Sequence, residues 1–197
     1  MIEKLFVYPT DTVWGIGGSI FVENNHKNIA LVKGTSPDKP LSILFKNISH
    51  LREYFNLPEK LNDSWLREFF NMGTSLGVPV TFAKNPFPSW VNCGSEIVFV
   101  RVLNFPFVEK MINEAKAPIF TTSLNLTGQP PCIEFSDAKA FFDDHLKIES
   151  TFVDTKELVP SGESSTMVIL DSDLSTNISR RGSRVLEVQK HIEKLNH

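Results

Sequence analysis

Short β-branched runs cut off by breakers constrain this chain most. Ile97-Val98-Phe99-Val100-Arg101-Val102 is too short and too branched for a core helix and reads as a buried strand. Runs of the same kind predict strands at 3–8, 41–45, 78–82 and 118–122, a short one near Phe152, and one at 167–170. Helical spacing recurs between them. Asn24 and Asn25 are placed to cap a helix that runs to about Lys33 and ends at Gly34. Further helices are expected at 48–55, at 63–70 on Trp65, Leu66, Phe69 and Phe70, at 106–116, from a Ser136 cap to about Leu146, and at 185–195. Residues 35–40, 85–94 and 160–165 read as loops. The elements alternate without a regular unit or repeat, and no stretch reads as a linker. The expectation is one α/β domain (α+β in some schemes) over 1–197, a twisted mixed sheet flanked by helices.

Composition narrows the function classes. The chain has 197 residues, 41% hydrophobic and 22% charged, which is ordinary for a globular protein with a real core. A net charge of -3 counts against avid non-specific binding to nucleic acid, although Arg180, Arg181 and Arg184 form a local basic cluster. Cys93 and Cys132 make no CxxC pattern. His26, His50, His145, His191 and His197 show no metal spacing, so no metal site is expected in the protein. No apolar run approaches about 18 residues, and the chain starts directly on a strand without a leader pattern. The expected location is the cytoplasm, with no membrane partner.

The chemistry sits in loops. Tyr8-Pro9-Thr10-Asp11-Thr12-Val13-Trp14-Gly15-Ile16-Gly17-Gly18 puts hydroxyls, a carboxylate and glycines directly after the first strand. It suggests a phosphate loop but lacks the lysine and spacing of a nucleotide P-loop. Three more loops share its character: Thr121-Thr122-Ser123-Leu124-Asn125, Ser161-Gly162-Glu163-Ser164-Ser165-Thr166 and Ile178-Ser179-Arg180-Arg181-Gly182. Lys33, Lys39 and Arg101 add cations at strand and helix ends. Each loop alone is ordinary turn chemistry. Together they suit a polyanionic ligand such as a nucleoside triphosphate. No Ser/His/Asp or Cys/His pairing points to acyl transfer, and no carboxylate pair points to glycoside hydrolysis.

In the same order, these stretches resemble the YrdC-like family of threonylcarbamoyl-AMP synthases. The family's Pro-Thr-acid-Thr-x-aromatic-Gly opening is matched by Pro9 to Gly15, its Lys-x-Arg-Pro-x-x-Lys-x-Leu segment partly by Lys33, Lys39 and Leu41, and its Pro-x-Thr by Pro79-Val80-Thr81. Val100-Arg101, Ser123-x-Asn125-x-Thr127-Gly128-x-Pro130, Ser165-Thr166-Met167-Val168 and Arg180-x-Gly182 match the remaining motifs. The chain departs at Thr35, where the family has arginine, and at Ser36, where it often has proline. Threonine supplies no bidentate fork. The chain looks like the short form, with little leading helix and no additional C-terminal domain.

The resemblance implies an enzyme, a nucleotidyltransferase. It would join L-threonine, bicarbonate and ATP into threonylcarbamoyl-adenylate and pyrophosphate, with Mg2+ assisting. The product would pass to downstream proteins that transfer the threonylcarbamoyl group to tRNA. By this resemblance Lys33 and Arg101 would be catalytic. Thr10, Thr12 and Arg101 would hold threonine. Lys33, Lys39, Ser123, Asn125, Ser165 and Arg180 would hold ATP. Asp11 would tie its own turn, and Trp14 would wall the site. The alternative is a non-catalytic, weakly RNA-binding member of the same fold. A carbamoyl-phosphate-dependent domain of the hydrogenase-maturation type belongs in a much longer chain.

Overall fold

The computed structural model describes residues 2–155 and 157–195, so His197 lies outside the described residues. Along the chain run β1 (Leu5–Pro9), β2 (Trp14–Gly17), α1 (Glu23–Lys33), β3 (Ser42–Phe45), α2 (Ile48–Tyr54), α3 (Asp63–Phe70) and β4 (Thr74–Pro79). Then come α4 (Ser89–Asn92), β5 (Ile97–Val102), α5 (Pro106–Ala115), β6 (Ile119–Ser123), α6 (Phe135–His145), β7 (Ser150–Phe152), β8 (Thr166–Leu170), β9 (Thr176–Arg180) and α7 (Val185–Glu193). The strands join in one sheet, ordered β7-β1-β2-β6-β3-β5-β4-β8-β9. The β1–β7, β3–β5 and β4–β8 pairs are parallel and the others antiparallel, so the sheet is mixed as expected.

Several local expectations need correction. Trp14–Gly17 is a strand, not a glycine loop, and the polar Thr176–Arg180 is an edge strand with no apolar run to signal it. The strand expected at 78–82 is Thr74–Pro79, and Val80–Phe82 that follows is a 3-10 turn. A single helical turn, α4, breaks the 85–94 loop. Asn24 and Asn25 cap nothing: α1 starts at Glu23, Asn24 donates to Glu3, and the buried Asn25 donates to the Ser19 carbonyl. Nor does Ser136 cap α6, which begins one residue earlier. True side-chain caps are Asn47 on α2 and Asn62 on α3, each accepting from the backbone N–H three residues on.

Strand alternation sorts the core onto two faces. Leu5, Val7, Ile43, Phe45, Val98 and Val100 pack with α1, α2 and α3 residues such as Ile29, Leu51 and Phe69. Phe6, Tyr8, Leu44 and Ile119 point the other way, under Phe107, Val108 and Met111 of α5. That second face turns polar as it continues. Ser42 follows Leu44 in strand parity, Thr121 and Ser123 follow Ile119, and Ser42 pairs with Thr121 across the ladder. Arg101 is the cross-strand partner of Leu44, Ser75 pairs with Met167, and Met167 pairs with Arg180. A polar trough therefore lies beside the apolar part that α5 covers.

Two buried histidines make stability depend on pH. The His191 ring stacks on Trp65 at 4.7 Å between centroids, and its Nε2 donates to the Trp65 carbonyl at 3.0 Å. His50 packs edge-on against Phe45. Burial holds both below the usual histidine pKa. A base depressed on folding stabilises fully above its unfolded value of about 6.5, and that contribution is lost as pH falls below it. Thermal midpoints are expected to drop between pH 7 and 5. The drop should be smaller in His191→Gln than in the parent, as scanning calorimetry at both pH values would show.

Candidate active site

The trough deepens into a cavity of about 420 Å³. Thr10, Thr12, Trp14, Ser42, Ser75, Arg101, Thr121, Thr122, Ser123, Asn125, Ser164, Ser165 and Arg180 are among its lining residues. These come from β2, β3, β4, β5, β6 and β9 and from the loops at their ends. Two guanidinium groups face one cavity that no carboxylate of the described residues lines. Arg101 is buried and meets the Asp11 carboxylate through Nη2. Arg180 donates from Nε and Nη2 to the Ser165 carbonyl at 3.1 and 3.0 Å, and from Nη2 to Ser165 Oγ at 2.7 Å. Burial, and next the charge of Arg101, lowers the Arg180 pKa. An anion entering here relieves both costs.

The loop after β1 is organised by one hydroxyl. Thr10 Oγ1 donates to the Val13 carbonyl at 2.6 Å, accepts from the N–H groups of Thr12 and Val13, and lies 3.0 Å from Thr12 Oγ1. Its proton is committed to the Val13 carbonyl and its two lone pairs to the Thr12 and Val13 N–H groups, so Thr10 has little left for the neighbouring Thr12 hydroxyl. The Thr12 hydroxyl is thus left to serve the cavity it lines, while Thr10 serves the turn. The acceptor that ties the turn is thus Thr10, not Asp11. Asp11 instead reaches across to Arg101, because a buried guanidinium needs a counter-charge. Trp14 stands in the cavity wall as expected, stacked on Phe152 at 5.1 Å.

Lys33 lines an adjoining recess of about 270 Å³, with Thr35, Lys39 and Thr127. Pro40, Leu41, Thr122, Ser123 and Asn125 border both spaces. The Lys33 ammonium donates to the Ser123 carbonyl at 2.5 Å, the Asn125 carbonyl at 3.0 Å and Asn125 Oδ1 at 2.9 Å. Ser123 Oγ donates to the same Oδ1 at 2.6 Å, and the Asn125 amide donates to Leu126 and Gln129 carbonyls. All three Lys33 protons therefore hold the loop after β6 in shape. Burial pushes the Lys33 pKa down to about 8. The Lys39 carbonyl is held by His26 Nε2 at 3.1 Å, which pins the loop that carries Thr35.

The structure therefore gathers Thr10, Thr12, Arg101, Ser123, Asn125, Ser165 and Arg180 in one cavity and sets Lys33 and Lys39 at its neighbour. Ser42 and Ser75, which also line the cavity, were not singled out from sequence. The signal for Ser42 was parity, since Leu44 continues its face as an apolar residue; Ser75 carried no such signal, because Gly77 follows it on its face.

Comparison with known proteins shows the family and the fold. The family model Sua5/YciO/YrdC, described as telomere recombination, matches residues 2–182. A threonylcarbamoyl-AMP synthase of Klebsiella pneumoniae subsp. pneumoniae is 30% identical over 149 residues, 74% of this chain and 76% of that protein. The crystal structure of P. abyssi Sua5 complexed with L-threonine is 26% identical, with a TM-score of 0.78, over 96% of this chain. The chain spans about half, 54%, of that structure. The E. coli YciO crystal structure shares the fold, with a TM-score of 0.69 at 16% identity over 90% of this chain and 82% of YciO.

Proposed function

The chain belongs to the Sua5/YciO/YrdC family, and from that premise we propose that it is a threonylcarbamoyl-AMP synthase. The observation that carries the reading is the pairing of Arg101 and Arg180 across one hydroxyl-lined cavity, in a chain whose curated relatives bear that name. The substrates are L-threonine, bicarbonate and ATP. The neutral threonine amine takes up the bicarbonate carbon as a carbamate, with loss of water. A carbamate oxygen then attacks the α-phosphate, and pyrophosphate leaves with the bridging electron pair. This chemistry needs charge neutralisation and alignment rather than a protein nucleophile.

The geometry supports a set of proposed residue roles. Arg101 holds the amino-acid carboxylate or the carbamate, exchanging Asp11 for the substrate anion. Thr12 accepts from the amine side, with Thr10 fixing its loop. Arg180 with Ser165 takes the phosphates, and Lys39 faces the same anion from the recess. Lys33 acts through the Ser123–Asn125 loop as a positioning residue. Among the described residues the lining offers hydroxyls and cationic groups but no carboxylate, which does not fit a resident Mg2+. Magnesium enters with ATP as part of the substrate, ligated by phosphate. The product goes to proteins that place the threonylcarbamoyl group on tRNA. A non-catalytic RNA-binding role is not favoured, since the curated relatives carry an enzyme name. No helix among the described residues is long and apolar enough to cross a membrane.

A pyrophosphate-release assay with MgATP and bicarbonate tests the reading. Release that rises with added L-threonine is expected, and release indifferent to threonine contradicts it. Activity also has a pH signature. As pH rises through about 8, Lys33 loses its charge and a donor to the loop. The expected result is an alkaline fall in kcat/KM with an apparent pKa near 8. In Lys33→Met the whole profile should drop by about ten- to hundredfold, without that fall. A parent profile flat to pH 9.5 would remove Lys33 from the machinery.

A further inference from the structure

Tyr8 sits on β1 beneath the cavity, fully enclosed, and its hydroxyl has one partner among the described contacts. It donates to Thr121 Oγ1 at 2.7 Å. Two glycines make room for it. Gly15, opposite Tyr8 in the β1–β2 ladder, would bring a Cβ to 3.3 Å from the Tyr8 ring, and a Cβ on Gly17 would lie 3.3 Å from the Tyr8 hydroxyl. So the glycines that first suggested a phosphate loop form a slot for a phenol.

We propose that Tyr8 is a positioning residue that sets the Thr121 hydroxyl as a hydrogen-bond donor into the substrate cavity. The inference rests on the proposed activity. Thr121 Oγ1 has one proton and two lone pairs. Accepting from Tyr8 occupies a lone pair on the enclosed side and leaves the proton for an acceptor in the cavity, which Thr121 lines. The relay keeps this direction because burial holds the Tyr8 phenol well above its ordinary pKa, so it stays protonated across the working pH range. Without the phenolic hydroxyl, the Thr121 rotor is free to point its proton elsewhere. The acceptor it would serve is an oxygen of the amino acid or its carbamate, since Thr121 lines the same cavity as Arg101, the proposed carboxylate partner.

The test is calorimetric titration of L-threonine, and separately of MgATP, into the parent, Tyr8→Phe, Thr121→Val, Thr121→Ser and the Tyr8→Phe/Thr121→Val double variant. Thermal melts verify folding of each. The expected result is threonine affinity weakened about three- to tenfold in Y8F and T121V, near-parent affinity in T121S, and no further loss in the double variant. MgATP affinity should be unchanged throughout. Parent-like threonine binding by Y8F, or additive losses in the double variant, overturns the relay while leaving the proposed activity in place. A parent protein that binds no threonine contradicts the activity and the relay together.

Discussion

Arg101→Met should lower kcat/KM for L-threonine by about three orders of magnitude with the fold retained. The estimate comes from removing a buried charged partner, which typically costs 3–5 kcal/mol, roughly a hundred- to several-thousandfold. Arg101 emerges at the point where its sheet face changes from apolar to polar, so methionine can continue the apolar packing beside Leu44. The loss should therefore appear in catalysis and amino-acid affinity, not in the melting temperature. Arg101→Lys keeps charge but not the planar fork, and is expected to recover only part of the loss. Asp11→Asn separates the two partners of the guanidinium. If Asp11 is the ligand that substrate displaces, D11N should retain turnover, whereas R101M should not. Steady-state kinetics over threonine concentration at saturating MgATP would decide.

Gly17→Ala should be the most damaging small substitution for folding. A Cβ there would lie 1.8 Å from the Phe120 carbonyl oxygen, backbone that cannot swing aside without breaking the sheet. The neighbouring Phe120 N–H to Gly18 carbonyl bond, 2.8 Å, would have to open. The β2–β6 ladder pairs Gly15 with Ser123 and Ile16 with Thr122, so the same strain reaches the cavity wall. We expect a loss of about 3 kcal/mol or more in unfolding free energy. Gly34→Ala is the control. It ends α1 at φ +62 with open space around it, so its cost should stay near about 1 kcal/mol. Urea melts of the three proteins would separate steric collision from backbone preference.

These glycines show where sequence reading succeeded and where it stopped. The apolar strands at β3 and β5 and the helices α2, α3 and α5 were legible because their faces alternate or repeat with the right period. Strand β2 was not, since Trp-Gly-Ile-Gly has turn composition and becomes a strand only where Tyr8 and the Phe120 backbone crowd it. Strand β9 was hidden for the opposite reason: it is half-exposed and polar, and is made a strand by pairing with β8. At the site, residue types were readable but partners were not. Lys33 reads as a phosphate ligand from its motif, yet the fold turns its three protons onto Ser123 and Asn125. Asp11 reads as a turn residue, yet it serves Arg101 from a distant strand. Such pairings span about ninety residues of sequence and arise only when the sheet closes.

Under the proposed reaction, the cavity that Arg101 and Arg180 line makes a carbamoylated amino-acid adenylate. The most direct measurement is mass spectrometry of the product formed from L-threonine, ATP and 13C-labelled bicarbonate. The expected product is an adenylate that contains threonine and is one mass unit heavier than the product from unlabelled bicarbonate, formed only when all three substrates are present and lost in Arg101→Met. An adenylate without the label, or a labelled product that Arg101→Met makes as readily as the parent, would contradict it.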